Sequence, residues 1–408
     1  MKPALRSFAV PNYRRYFLGQ LVSLSGTWMQ TVAEMWLVLQ LTHSSFAVGV
    51  AAALQFAPML VGGAWGGLIA DRFDKRRLLL ATQTAMALPA VALLALTATG
   101  AIELWMLLAL IFARGAVNAV DNPARQAFLV ELVGPDRLVN AVSLGSALVN
   151  SARTIGPALA GVAIATVGVE LCFGLNALSF AAMLLALRGM DAAALRPSPP
   201  AARRRGQVRS ALRYVRTTPE LRIPLALMAV VGTFTFNFQT LLPLLATFGF
   251  GGGAGAYAAL TTAMGLGAIV GAIGNGARSR VRPALLAGAA AVFGALVVAA
   301  AFAPSTALAA AALVPVGAAS VVFAASVNSF LQLAVAPHMR GRVMALYSVV
   351  FLGSTPIGGP LMGWIAGAAG PRVALALGGL VAVGAAVWAR TAFARVACTA
   401  PAPASVSR

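Results

Sequence analysis

Charge is scarce in this chain of 408 residues: 10% are Asp, Glu, Lys or Arg, where a soluble domain carries about a quarter. The charge is also lopsided, with 30 basic residues against 10 acidic ones, and no Asp or Glu follows Glu220. The only lysines are Lys2 and Lys75. Neither follows a glycine-rich phosphate loop, which excludes ATP hydrolysis by that route. The two histidines, His43 and His338, fall in loops predicted on opposite sides, so no metal site and no His-activated nucleophile assembles from them. Cys172 and Cys398 lie on different elements and make no disulfide framework. These absences argue against an enzyme and give no reason to expect a cofactor or a metal. The net charge of +20 does not read as nucleic-acid binding, because the basic residues form no single face and lack interleaved aromatics.

What the chain has in abundance is apolar length. Hydrophobic residues make up 60% of it, in runs near the ~20 residues a helix needs to cross hydrocarbon. The strict alternation of a membrane β-barrel is absent. The sequence predicts an all-α integral membrane protein with twelve spans, at 17–41, 46–70, 78–99, 102–122, 138–166, 169–187, 223–248, 256–276, 283–303, 306–329, 341–369 and 371–393. The loops sort by charge. The N-terminal arm, 71–77, 122–137, the centre, 278–282, 338–342 and the tail hold all but four of the 30 Lys and Arg residues. Of those four, Arg372 lies on the other side, Arg114 and Arg153 lie inside spans, and Arg390 lies near the basic-side end of the last span. An excess of Lys and Arg marks the cytoplasmic side, so both termini are expected in the cytoplasm of a bacterial inner membrane. No removable signal peptide is read at the N-terminus; the first span is expected to target the membrane itself.

The domain division expected is a six-helix bundle over 1–187, a basic cytoplasmic linker over 188–222, a second bundle over 223–393 and a tail over 394–408. The linker is rich in Pro and Arg, includes Arg203, Arg204 and Arg205, and is expected to be partly helical near Gln207–Thr217, as a solvated loop or resting on anionic lipid. A weak repeat relates the halves. At an offset of 202 residues Gly115 meets Gly317, Pro135 meets Pro337, Gly156 meets Gly358 and Gly161 meets Gly363.

A charge near the bilayer centre is costly, so it normally faces a partner or a cavity. Glu34, Arg114, Asp121 and Arg153 are the intramembrane charges, and they are the candidates for proton coupling. Polar residues recur at helical spacing on several spans: Gln20, Ser23, Thr27, Gln30, Thr31 and Glu34; Arg114, Asn118 and Asp121; Ser143, Ser146, Asn150 and Thr154; Thr233, Asn237 and Thr240. Such stripes imply either a hydrated cavity or hydrogen bonding between helices. Depth counted from the cytoplasmic span ends places Glu34 level with Arg153 and predicts a switchable ion pair between them. Gly62 with Gly66, Gly63 with Gly67, Gly267 with Gly271 and Gly359 with Gly363 predict close helix seams. Gly156-Pro157, Pro356 and Pro360 predict bends in the fifth and eleventh spans.

Gly67, Asp71, Arg72, Asp74, Lys75, Arg76 and Arg77 resemble the loop signature of the major facilitator superfamily, in the right loop on the right side. Arg114-Gly115 resembles the superfamily's arginine motif, and Gly156-Pro157 with Gly161 its antiporter motif. Gly26 to Gln30, Asp121 to Gln126 and Arg340 to Tyr347 resemble the branch that holds enterobactin exporters and macrolide-efflux-type proteins. The resemblance covers the whole chain. It implies a gating loop in which Asp71, with Gly67, Arg72, Arg76 and Arg77, latches neighbouring helix ends. The second-half equivalent at Gly276, Arg278 and Arg280 lacks the acid. It also implies a central cavity, with Gln30, Glu34, Asn118, Phe234 and Asn237 expected near it. The expected activity is export of a small amphipathic solute (a drug, siderophore or metabolite) by proton antiport, with protons and lipids as the other partners and a monomer as the working unit. Uptake by a proton symporter, or lipid flipping on the same fold, are the alternatives.

Overall fold

The computed structural model describes residues 3–196, 207–275, 282–336 and 339–399. The loop carrying Gly276, Arg278 and Arg280, the run Arg203 to Arg205, His338 and the tail from 400 onward lie outside the described residues. All regular structure among the described residues is helical. In the first half the helices are α1 (Pro11–Thr42), α2 (Ser45–Arg72), α3 (Lys75–Ala98), α4 (Leu104–Val133), α5 (Leu138–Thr166) and α6 (Val169–Arg188). The amphipathic α7 (Gln207–Thr217) follows, at the place the linker composition predicts. The second half holds α8 (Pro219–Phe234), α9 (Phe238–Leu244), α10 (Ala254–Asn275), α11 (Pro283–Ala301), α12 (Thr306–Ala334), α13 (Arg340–Gly353), α14 (Thr355–Ala369) and α15 (Pro371–Thr399).

Local chemistry sets several of the boundaries. Pro11 opens α1, where its missing N–H is not needed, and His43 closes it in a left-handed conformation at φ 48°. The Ser44 hydroxyl caps α2 by accepting from the Ala47 N–H at 3.3 Å. The Asp74 carboxylate caps α3 by accepting from the Arg77 N–H at 2.7 Å.

Among the described residues, eleven segments are long and apolar enough to cross a membrane. The long helix left out is α1, which at 32 residues has the length but carries the polar stripe. Its stripe can be polar around Glu34 because protein covers that stretch: every residue from Met29 to Leu39 is buried. With α8 and α9 forming one interrupted span and α13 and α14 another, the spans total twelve in two six-helix bundles.

In the first bundle α1 packs on α5 and α6, α2 on α4, and α3 on α4 and α6; in the second α10 packs on α12, and α11 on α12 and α15. Glycine sets the tightest seams. A Cβ on Gly115 would stand 2.5 Å from the Gln55 carbonyl oxygen of α2, and one on its repeat mate Gly317 would stand 2.0 Å from the Met264 oxygen of α10. Gly66, Gly267, Gly271, Gly359 and Gly363 likewise lie against backbone. Gly62 and Gly63 make no such seam, which corrects the expectation for them: Gly62 has open space around it, and Gly63 meets only Met59, from its own helix.

Pro157 sits inside α5, which runs without interruption through Gly156-Pro157. The eleventh span does break, at Ser354 just ahead of Pro356, with Pro360 inside α14. The seventh span, expected as one helix, is interrupted at 235–237.

The two halves meet mainly through α2 with α14 and α5 with α10, and they meet at one end. At the short-loop end a Cβ on Gly49 would lie 2.3 Å from the Gly359 oxygen, one on Gly363 2.6 Å from the Ser45 oxygen, and one on Gly161 2.5 Å from the Ala258 Cβ. Toward the basic-loop end α2, α5, α10 and α13, which continues the span of α14, are more open, with α13 still touching α2 near Gly353 and Leu60. Val61 is 84% exposed, Val139 82% and Ile273 74%, while Gly145, Gly274 and Gly341 have nothing near them. The halves enclose a V that opens toward the basic loops.

Candidate functional site

Helices α1 and α4 are joined by two polar rungs. The first is centred on Glu34, which is fully buried. Its carboxylate accepts from Arg114 twice, Nη2 to Oε2 at 2.5 Å and Nε to Oε1 at 3.2 Å. It also accepts from Gln30 Nε2 at 2.7 Å. The Gln30 oxygen in turn accepts from Asn176 of α6 at 2.5 Å, and Asn176 accepts from the Ser179 hydroxyl at 2.9 Å. A forked guanidinium on a carboxylate is the strong form of ion pair, and here it sits in the low-dielectric interior of the bundle.

The second rung lies two helical turns toward the basic-loop end. Asp121, also fully buried, accepts from the Thr82 hydroxyl at 2.6 Å and from Gln83 Nε2 at 2.9 Å, both on α3, and pairs with Arg125. Gln83 accepts from Ser23 of α1 at 3.4 Å. Asn118, half-buried, stands on α4 between the rungs.

Glu34 pairs with Arg114, which corrects the expected Glu34–Arg153 pair. The reason is depth. Counted from the short-loop ends of the helices, Glu34 is eight residues in and Arg153 thirteen, about 12 Å against about 20 Å at 1.5 Å per residue. The estimate from the cytoplasmic ends fails because α1 begins at Pro11, six residues before the predicted span. Arg153 lies instead over the Trp28 ring at 5.0 Å.

The α5 stripe satisfies itself. Ser143, Ser146, Asn150 and Thr154 each donate to a carbonyl four residues back on their own helix. In the second half Asn237 is buried at the interruption between α8 and α9. Its Nδ2 donates to the Thr233 oxygen at 2.6 Å, and its Oδ1 is enclosed without a partner. Phe234, half-buried, ends α8. The interruption itself is held by Thr235, whose hydroxyl donates to the Gly378 oxygen of α15 at 2.7 Å.

The 71–77 loop ties three helix ends together. Arg76 caps the end of α6, donating to the Leu187 and Arg188 oxygens at 2.8 and 2.9 Å. Lys75 pairs with Glu131 of α4 at 3.7 Å. Asp71 lies in the last turn of α2, a turn beyond Gly67, with Arg72 and Arg77 exposed beside it.

Sequence reasoning missed Asn176, Ser179, Thr82, Gln83 and Trp28. The polar pairs carry a weak signal, since Asn176 and Ser179 share one face of an otherwise apolar α6. Trp28 carries none, because a tryptophan in a span reads first as packing.

Two related six-helix bundles, joined through α2, α5, α10 and α14 around buried charge, are the major facilitator fold. The structure resembles the nucleoside transporter NupG (TM-score 0.69, 13% identity, covering 94% of this chain and 99% of that one). It also resembles a bacterial homologue of the human lysosomal transporter Spinster in an inward-facing, occupied conformation (TM-score 0.74, 15% identity, 99% and 100% covered). The chain belongs to the transmembrane secretion effector family of major facilitator transporters, whose model matches residues 3–404. It is a multi-pass membrane protein of that transporter family. It is 29% identical to the staphyloferrin A transporter of Staphylococcus aureus over 257 residues, 62% of this chain and 64% of that protein. It is 29% identical to the enterobactin exporter EntS of Citrobacter koseri over 290 residues, 68% and 66% of the two chains. The chain thus covers just under two thirds of the length of each relative.

Proposed function

We propose that the protein exports a small amphipathic, siderophore-like solute from a bacterial cytoplasm by proton antiport, with the bundles 1–187 and 223–393 rocking about the site between them. The observation that carries this reading is the buried Glu34–Arg114 pair. Protonating Glu34 removes the charge that holds Arg114 and frees the guanidinium to change partners, so one proton alters the balance between two arrangements of α1 and α4. Asp121, fixed by α3 and Arg125, holds the second rung.

Sidedness comes from the basic loops, which put both termini and the open end of the V in the cytoplasm; this is the loading state of an exporter. Asp71 and the basic residues around it latch helix ends at that side when the halves close. The basic helix α7 rests on anionic headgroups, and the monomer is the working unit. The half-buried Asn118 and Phe234 face the path, and Gln30, Glu34 and Asn237 stand buried behind it, to be reached when the halves rock. The names of the two relatives support a siderophore-like cargo.

Energised inverted vesicles test the reading. With a lumenal pH dye, a transported solute releases protons from the acidified lumen, and Glu34→Gln abolishes that release while the protein remains folded. Solute-driven proton release that persists at the native rate in Glu34→Gln would remove Glu34 as the carrier. Its absence with every solute tried in the native protein would remove proton antiport.

A further inference from the structure

Helix α5 carries a guanidinium to the middle of the membrane and meets no carboxylate there. Arg153 stands near the midpoint of α5. Its Nε is enclosed and finds no hydrogen-bond partner among the protein's groups, and its one charge-sensitive contact is the Trp28 face at 5.0 Å. The chain has no acid to spare for it. Glu34 pairs with Arg114 and Asp121 with Arg125, the other eight acids stand at helix ends or in loops, and none follows Glu220. Of Arg114 and Arg153, the intramembrane guanidiniums, the first is neutralised and the second is not. A cation–π contact offsets part of the desolvation of a guanidinium, yet five N–H donors remain to be satisfied.

The position is also the apex of the V. The Arg153 backbone oxygen and Thr154 lie against Gly265 of α10, where a Cβ would stand 3.1 Å from the former and 2.7 Å from the Thr154 hydroxyl. Further toward the basic loops α5 carries exposed side chains, Val149 at 40% and Ser146. Gly156 brings α5 onto α1 at Trp28, where a Cβ would lie 2.5 Å from the tryptophan Cβ. The cation backed by an indole thus stands on the helix that meets α10 at this level. Arg153 itself is only partly covered.

We propose that Arg153, seated on Trp28, receives an oxyanion of the transported solute, which must then carry a carboxylate, a catecholate or a comparable anionic oxygen on an apolar body. The subsite rests on the exporter reading only for the direction in which that solute travels. Arg153 binds the anion while Glu34–Arg114 handles the proton, and the two tasks fall on different helices.

Binding to the purified full-length protein in phosphatidylcholine nanodiscs tests this. The probes are a citrate diamide polycarboxylate, a tricatecholate, the ester- or ether-capped neutral form of each, and nanodiscs containing phosphatidylglycerol. At least one anionic probe should bind with its capped form at least tenfold weaker. Arg153→Ala should lower the anion's affinity about ten- to hundredfold, the loss of a charge-assisted bond, and leave the capped form unchanged. Arg153→Lys, which keeps the charge and also serves if the alanine protein does not fold, should fall between. Equal affinity for charged and capped forms, native-like anion binding in Arg153→Ala, or no anion binding to the native protein would each overturn the subsite. Arg153-dependent competition by phosphatidylglycerol alone would keep the oxyanion chemistry and assign it to a lipid. Arg153-dependent solute binding with no transport in vesicles would keep the subsite and remove the exporter reading.

Discussion

The two halves of the molecule share a scaffold and differ inside it. The seams match at an offset of 202 residues, Gly115 against α2 and Gly317 against α10. At the same offset Glu34 corresponds to Phe236 and Arg114 to Val316. Where the first half holds an ion pair, the second holds rings: Phe236 lies 5.1 Å from Phe293 and 5.5 Å from Phe351, and Phe293 stacks on Phe323 at 6.3 Å. Backbone approach through glycine therefore sets the architecture, and it leaves the chemistry of each core free to diverge. One half carries titratable charge and the other presents an apolar body to it.

The sharpest way to break this contrast is Arg114→Ala. It leaves the Glu34 carboxylate buried without its partner, an expected cost of about 3–5 kcal/mol, seen as a lower unfolding temperature of the detergent-purified protein. Glu34→Gln combined with Arg114→Gln should recover most of the loss. A single variant as stable as the native protein would mean the pair does not hold the first bundle. Phe236→Ala should cost about 3 kcal/mol in lost packing while leaving the number of protons exchanged per solute unchanged; a changed stoichiometry in reconstituted vesicles would show that coupling is not confined to the first half. Gly49→Ala sets a Cβ 2.3 Å from a backbone oxygen of α14 and should cost about 1–3 kcal/mol as overpacking. It should also speed thiol labelling of a cysteine placed at Ser45, whereas Gly145→Ala, in open space, should leave that rate alone. Ser146→Ala should shift stability by less than about 0.5 kcal/mol, because its hydroxyl bonds only to its own helix.

Apolar run length made the twelve spans legible in the sequence, and glycine spacing most of the seams. The linker helix near Gln207–Thr217 could be read from the linker's composition and the second-half acid deficit by counting. The charges could be found as intramembrane outliers, but their pairing could not be read. Depth along a helix depends on where the helix starts, and α1 runs six residues further into the basic side than hydropathy shows. The interruption at 235–237 has no proline or glycine within it; it depends on Thr235 finding a carbonyl on α15, a contact 143 residues away. The opening of the V was also out of reach, since sequence periodicity reports which face of a helix is apolar and not which end of it touches a neighbour.

The interruption between α8 and α9 puts one span in two mechanical bodies. Segment α8 packs on α12, α13 and α15 of its own half, while α9 also packs on α1 and α2 of the other. A rigid helix bridging two rocking bodies would act as a strut and resist their rotation. In the rocking proposed above, a break of three residues would act as a universal joint, with the torsion between α8 and α9 taken up at Thr235, Phe236 and Asn237. The middle residue of that joint, Phe236, is itself part of the ring cluster, so a turn of one half against the other would be felt directly in the packing of the apolar core.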